Sequence, residues 1–350
     1  MRVAIEAASL SLSSGGLARY TSQLSLALAR SHPDDEFFLI SDQPFSLPPG
    51  APANLKRGTG PRNAAERRWW LWGMAQELNR VAAEVVHGPD FAVPYLARRP
   101  SVMTLHDLSP WRDPAWHKGA GRVMRRTPLL LKMGLATMVI TPGEQVRQEV
   151  IARFQLSPDR VVAVPEAAAE WFAPVAVRPE PPYFLFVGTI EPRKNLPLLI
   201  EAWREARKRH AVDLVVAGRR RADAPAIPAE PGLRLLGEVP DERLPALYSG
   251  AIAFVYPSLY EGFGLPVVEA MQCGACVIAS PALRETGGTA AVYAGNAREF
   301  AQAMIAAIEH PEERAAWAAR SLARAAEFSW QRAARQTFEV YQEARRRFGE

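Results

Sequence analysis

Glu261 and Glu269 stand eight residues apart in PSLYEGFGLPVVEAM, residues 257–271, with Gly262, Gly264 and Pro266 between them. The apolar surroundings would bury both carboxylates, and a buried acceptor without a partner is costly. Glycine lets the backbone approach a ligand closely, and proline suits the first turn of a helix. Backbone N–H groups at Phe263, Gly264 and Leu265 could therefore meet a phosphate. The two carboxylates could accept hydrogen bonds from sugar hydroxyls on either side of it. A helix-dipole acid plus a turn acid is the plainer alternative. It accounts for Glu269 alone and leaves the combination unexplained.

A second concentration of chemistry lies in GTIEPRKNLPLLIEAW, residues 188–203. Asn195 is suited to cap a helix and Pro197 to occupy its first turn, which sets Arg193 and Lys194 just ahead of the helix N-terminus. Free N–H groups, the helix dipole and two cations make an anion site, where the alternative is a solvated basic loop. A third is His106-Asp107, which follows the apolar run SVMTL, while His87 precedes Gly88-Pro89. A histidine at a strand's carboxyl end can contact substrate or serve the structure.

The elements that must position these residues repeat a pattern. Runs at 2–8, 36–42, 85–89, 101–107, 137–142 and 160–167 are β-branched and apolar on both faces, separated by helix-length segments. That predicts a parallel sheet covered by helices. The proline-rich PVAVRPEPP, residues 174–182, reads as a stiff linker. The pattern then restarts at 183–188, 213–218, 233–237, 252–258, 275–280 and 290–294. The expected division is a first domain over 1–172 and a second over 183–327, with the chain staying helical from there to its end. Open α/β sheets bind ligands at the carboxyl ends of their strands, so two such domains predict a ligand in the cleft they share.

Composition narrows the classes. The chain has 350 residues, 48% hydrophobic and 23% charged, as a globular protein has, and no apolar run long enough to span a bilayer. The start MRVAIEAASL reads as a strand rather than a leader, which predicts a cytoplasmic protein. The formal charge is +5, and 14 lysines and arginines face 6 acids between Lys56 and Lys132. A basic face suits an anionic partner. No nucleic-acid module is recognisable. No G-x-G-x-x-G follows either first strand, which argues against an NAD enzyme; the nearest signal is Ser13-Ser14-Gly15-Gly16. Cys273-x-x-Cys276 falls at a helix C-terminus, where the dipole opposes thiolate, so two buried small residues are expected rather than a redox or metal pair.

With these residues together, the chain resembles the retaining glycosyltransferases of family 4, group 1, over essentially its whole length. The E-x7-E motif is Glu261 to Glu269 in EGFGLPVVEAMQCG, and the phosphate loop is GTIEPRKN. LRLLGEVPDERLPALYSGA (233–251) is similar to the segment that meets the nucleotide base. LHDLSPWRDPAWH (105–117) and SSGGLARY (13–20) are similar to the family's first-domain loops.

The resemblance implies an α/β fold of the GT-B type, two doubly wound Rossmann-like domains facing across a cleft. It implies that Lys194 and Arg193, with Thr189 in the same loop, hold the donor diphosphate, that Glu269 binds the ribose hydroxyls and that backbone at Val239 meets the base. Glu261 and the amides of Phe263, Gly264 and Leu265 would hold the transferred sugar, Gly15 and Gly16 would approach the diphosphate, and His106 would contact the sugar near the reacting carbon. Transfer would proceed with retention, without a protein nucleophile, metal or other cofactor, and the sequence has no D-x-D triplet.

Four positions depart from the family pattern. Thr189 stands where many relatives have arginine, Gly143 where serine is usual, Cys276 where proline is common, and Glu166 where asparagine often precedes glycine. The loop E-P-R-K-N resembles that of bacterial mannosyl- and rhamnosyltransferases of polysaccharide assembly, which favours GDP-mannose as donor. A nucleotide-sugar 2-epimerase of the same fold and a non-catalytic nucleotide-sugar binder are the alternatives. The stretch at 62–78 brings Arg67, Arg68, Trp69, Trp70 and Trp72 together, and that at 118–132 carries Lys118, Arg122, Arg125, Arg126 and Lys132. Such residues suit peripheral contact with an anionic inner leaflet and a lipid-diphosphate-linked saccharide acceptor. The competing reading packs the tryptophans on the sheet and leaves the arginines in water. The last helix, 328–350, has apolar or aromatic positions at 328, 330, 338 and 341, and the resemblance implies that it crosses back onto the first domain, with hinges near 170–182 and 325–330.

Overall fold

The apolar runs form two all-parallel sheets in the computed structural model, which describes residues 1–12, 15–96, 98–117 and 119–348. Ser13, Ser14 and Lys118 lie outside the described residues. The chain divides into two units. The first holds Met1–Arg112, His117–Glu166 and Ser329–Glu350, and the second holds Asp113–Trp116 and Ala167–Phe328.

The first unit contains β1 (Arg2–Glu6), β2 (Glu36–Ile40), β3 (Leu55–Arg57), β4 (Val85–Gly88), β5 (Ser101–Thr104), β6 (Met138–Thr141) and β7 (Val161–Ala163), in the order β3-β2-β1-β4-β5-β6-β7. Its helices are α1 (Gly16–Ser31), α2 (Met74–Arg80), α3 (Ser109–Arg112), α4 (Gly121–Lys132) and α5 (Glu144–Phe154). Every residue of β4, β5 and β6 is buried, because helices cover both faces of a parallel sheet. The sequence gives no sign of β3: Leu-Lys-Arg is three residues long, and two of them are exposed on an edge strand.

The second unit contains β8 (Tyr183–Val187), β9 (Asp213–Ala217), β10 (Leu233–Gly237), β11 (Phe254–Tyr256), β12 (Val277–Ala279) and β13 (Val292–Tyr293), in the order β10-β9-β8-β11-β12-β13. Its helices are α6 (Leu196–Arg207), α7 (Leu244–Gly250), α8 (Leu265–Gln272), α9 (Arg284–Gly287), α10 (Ala297–Glu309) and α11 (Pro311–Ala325). A core runs through Phe184, Phe186, Trp203, Tyr248, Phe254 and Phe300. In both sheets the order turns back beside the first strand, at β1/β4 and at β8/β11. The loops leaving such a switch point are where doubly wound sheets hold ligands.

The boundary falls at Glu166/Ala167, not at 172. Phe172 is buried against Tyr248, at 6.0 Å between ring centroids, and the Gln272 side chain donates to the carbonyls of Ala169 and Phe172 at 2.9 and 2.8 Å. These contacts bind the segment to the second unit before the proline-rich stretch begins. The last helix, α12 (Trp330–Arg347), starts two residues after Phe328 and belongs to the first unit, where Trp330, Phe338 and Tyr341 are buried. Among the described residues, no helix is long and apolar enough to cross a membrane.

Candidate functional site

β8 delivers its chain into a short 3₁₀ turn, Pro192–Lys194, that precedes α6. Asn195 sits between them in the left-handed conformation with φ 52°, and its side chain caps nothing. The expected side-chain cap is therefore replaced by a sharp backbone turn, in a conformation asparagine tolerates. This turn folds Arg193 and Lys194 inward, so that both are buried.

Their counter-charge comes from the loop after β11. Lys194 Nζ lies 2.5 Å from Glu261 Oε1 and donates to the Tyr256 hydroxyl at 2.7 Å. Arg193 Nη1 lies 3.1 Å from Glu261 Oε2 and donates to the Tyr260 carbonyl at 2.6 Å. The Ser258 hydroxyl adds a bond to Glu261 Oε1 at 2.5 Å. Burial alone would raise the Glu261 carboxyl, but the charges of Arg193 and Lys194 and the bonds from Lys194 and Ser258 outweigh it and hold it down to about 2. Burial and the neighbouring Arg193 draw Lys194 below the ordinary lysine value, against the pull of Glu261.

A second rank of charges holds the first. Glu191 accepts from Arg193 at 2.8 Å and from Arg221 at 2.5 Å. Arg221 also pairs with Asp223 at 2.6 Å and donates to the Trp116 carbonyl at 2.7 Å. The Trp116 ring stacks on Tyr260 at 6.4 Å and 17°. Sequence reasoning passed over Glu191, Arg221, Tyr256, Ser258 and Tyr260. Glu191 lay inside the quoted loop; for Arg221 the only local signal was the run GRRRAD after β9.

Gly264 caps α8 in the left-handed conformation with φ 90°. A Cβ there would come within 2.3 Å of Leu283 Cδ2, so glycine is required on both counts. Phe263 and Leu265 on either side are buried, and the Thr286 hydroxyl donates to the Phe263 carbonyl. Glu269, in the second turn of α8, is fully buried and accepts from the Tyr248 hydroxyl at 3.0 Å. Thr189 and Val239 are half-buried, the latter in the turn between β10 and α7. The second unit thus gathers Arg193, Lys194 and Glu261 into one cluster. Glu269 enters by a separate contact.

In the first unit, Gly15 (φ 122°) and Gly16 open α1 and are exposed. His106 follows the end of β5, with Nε2 2.8 Å from the Pro89 carbonyl and Nδ1 2.9 Å from Glu166 Oε1. His87 is part of the buried structure: its Nδ1 meets the Tyr341 hydroxyl of α12 at 2.7 Å and its Nε2 meets Thr104 at 2.8 Å. Burial, then the His106 charge, push His87 down to about 3, so it is neutral. Gly143 opens α5 without a side-chain cap.

The tryptophan stretch is buried in part. Residues Trp69–Gly73 form a π-helical turn ahead of α2. Trp69 is core, Trp70 packs on that core with Arg126 5.2 Å from its ring, and Leu71 and Trp72 are about half exposed beside exposed Arg67 and Arg68. Cys273 and Cys276 are buried and unbridged, with burial pushing their thiols up to about 12 and about 11.

Two family models match the chain: glycosyltransferase family 4 over residues 14–169 and glycosyl transferases group 1 over 168–324. O-antigen chain mannosyltransferase B of Escherichia coli is 34% identical over 284 residues, 73% of this chain and 74% of that protein. Sucrose-phosphate synthase from Thermosynechococcus elongatus superposes with a TM-score of 0.76 at 19% identity, covering 98% of each chain. Anabaena Alr3699/HepE in complex with UDP-glucose gives 0.72 at 17% identity, covering 98% of this chain and 100% of that one. WaaG, a glycosyltransferase involved in lipopolysaccharide biosynthesis, gives 0.70 at 16%, covering 97% of this chain and 99% of that one. The two sheets are those of the GT-B fold.

Proposed function

We propose a function from one premise: the chain belongs to the glycosyltransferases of group 1, family 4. It is a glycosyltransferase. Its reaction is the retaining transfer of a hexose from a nucleotide diphosphate sugar, with GDP-mannose as the favoured donor. The acceptor is a saccharide or lipid-linked saccharide of cell-surface polysaccharide synthesis. The observation that carries this reading is the buried Arg193–Lys194–Glu261 cluster. Two cations held in a dry site offer charge-assisted bonds to a diphosphate, and the carboxylate they now hold has an exchange partner in the donor. The mannosyl donor rests on relatives named as mannosyltransferases.

On this reading the acceptor oxygen bonds to the anomeric carbon on the face from which the diphosphate departs. The acceptor proton passes to the departing phosphate oxygen. The leaving group gains negative charge as the C–O bond breaks, and Arg193 and Lys194 stabilise that charge most when it is fully developed. Cations supplied by the chain make a metal unnecessary for this step. On the same reading, Glu261 and Glu269 accept from donor hydroxyls once the donor is bound. Exposed Leu71 and Trp72 beside Arg67 and Arg68 suit peripheral contact with an anionic membrane presenting a lipid-linked acceptor. Sedimentation with anionic liposomes at low salt tests that part; full recovery in the supernatant ends it.

The central test is calorimetric titration with GDP-mannose, UDP-glucose, UDP-N-acetylglucosamine and dTDP-rhamnose, without metal and then with magnesium. One donor is expected to bind without metal, and Lys194→Ala to weaken it about tenfold or more. Unchanged affinity in Lys194→Ala would refute the diphosphate site.

A further inference from the structure

Glu166 stands outside every role assigned so far. It is buried at the end of the first unit, and its carboxylate meets His106, 60 residues earlier in the chain. The protons at His106 follow from its partners. The Pro89 carbonyl can only accept, so Nε2 carries a hydrogen. The contact of Nδ1 with Glu166 needs one more proton, and imidazole is the more basic of the two partners. A doubly protonated imidazolium satisfies both contacts, donating from Nε2 to Pro89 and from Nδ1 to Glu166.

We propose that Glu166 is a positioning residue that keeps His106 as a fixed imidazolium, so that His106 serves sugar transfer as an oriented cation and never as a base. The significance for catalysis rests on the transferase reading above; the protonation state does not. A neutral histidine in this place could take a proton from the acceptor hydroxyl. A charged one with no free lone pair cannot, which leaves the acceptor proton to the departing phosphate.

The groups around the ring agree. From α1 the Tyr20 ring meets His106 edge-on at 4.5 Å, and Tyr20 bonds to Thr104 at 3.1 Å. From the end of β4 come His87, which is neutral, and Asp90, which favours the cation. Asp90 is itself raised by burial and is influenced by Arg126 of α4 and by Asp107 beside His106. Glu6, at the end of β1, acts on the same acid. Burial opposes the charge on His106, but the bond and charge of Glu166, with Asp90 and the Pro89 carbonyl, prevail and raise it.

The full-length protein with 15N-labelled histidine provides the test, with His106→Gln assigning one of the six histidines. Both ring nitrogens of His106 should be protonated at pH 7.5. In Glu166→Gln, which keeps the shape and removes the charge, deprotonation should move down by about one to three pH units; Glu166→Asp should retain most of the effect. A neutral His106 in the wild type at pH 7.5, or an unmoved midpoint in Glu166→Gln, would overturn the proposal. The alkaline limb of kcat/KM for the donor should move down with that midpoint. A limb that stays while the midpoint moves overturns the positioning role. Absence of transfer from every donor, with the midpoint moving as stated, overturns the transferase reading and leaves the ion pair standing.

Discussion

Two buried acids respond to pH in opposite directions. Glu261 is held at about 2 against an ordinary 4.5, so its contribution to stability is complete above 4.5 and lost as pH falls through about 2. Glu6 is raised by burial to about 8, so its contribution is complete below 4.5 and lost as pH rises through about 8. Thermal unfolding across pH reads both. Glu6→Gln should remove a decline in melting temperature between pH 5 and 8, and a decline as steep as in the wild type would contradict the assignment. Glu261→Gln leaves Arg193 and Lys194 buried without their full counter-charge, which costs about 3 kcal/mol by analogy with broken buried pairs. Denaturant unfolding at pH 7 checks it, and added pyrophosphate should restore more stability to this variant than to the wild type.

At the level of elements, the turn into α8 and its buried acid are open to test separately. Gly264→Ala forces a side chain into a left-handed position and against Leu283, at an expected cost of about 2 kcal/mol or more. A melting temperature equal to the wild type would mean that the turn can relax. Tyr248→Phe removes the hydroxyl that donates to Glu269 and should cost about 1–3 kcal/mol, since the carboxylate stays buried. The same variant should weaken donor affinity if Glu269 is oriented for a ribose.

At the level of the whole molecule, α12 returns to the first unit and completes it. Trp330 lies against Tyr20 at 5.9 Å, Phe338 stacks on His32 at 3.7 Å, and Tyr341 bonds to His87. Truncation after Phe328 should therefore open the first unit and leave the second folded. Limited proteolysis is expected to digest the region before Glu166 while 167–328 survives; equal protection of both would show that α12 is dispensable.

The sequence by itself determined the two parallel sheets, because runs such as VVHG and MVIT are apolar on both faces and suit only a strand covered twice. It also singled out the two loops that supply the buried charge cluster, since a glycine-proline turn between two acids and an Arg-Lys pair before a helix are local patterns. Partner choice was decided by the tertiary structure. Lys194 meets Glu261 across 67 positions because β8 and β11 are neighbours in the sheet, an order that spacing along the chain does not encode. Arg221 reaches Glu191 because β9 flanks β8 on the other side. Glu166 was legible as a departure from a family pattern, and only the fold supplied the reason, by bringing the segment after β7 to the histidine after β5. Edge strand β3 was lost to the sequence because three residues, one buried and two exposed, carry too little periodicity to be read.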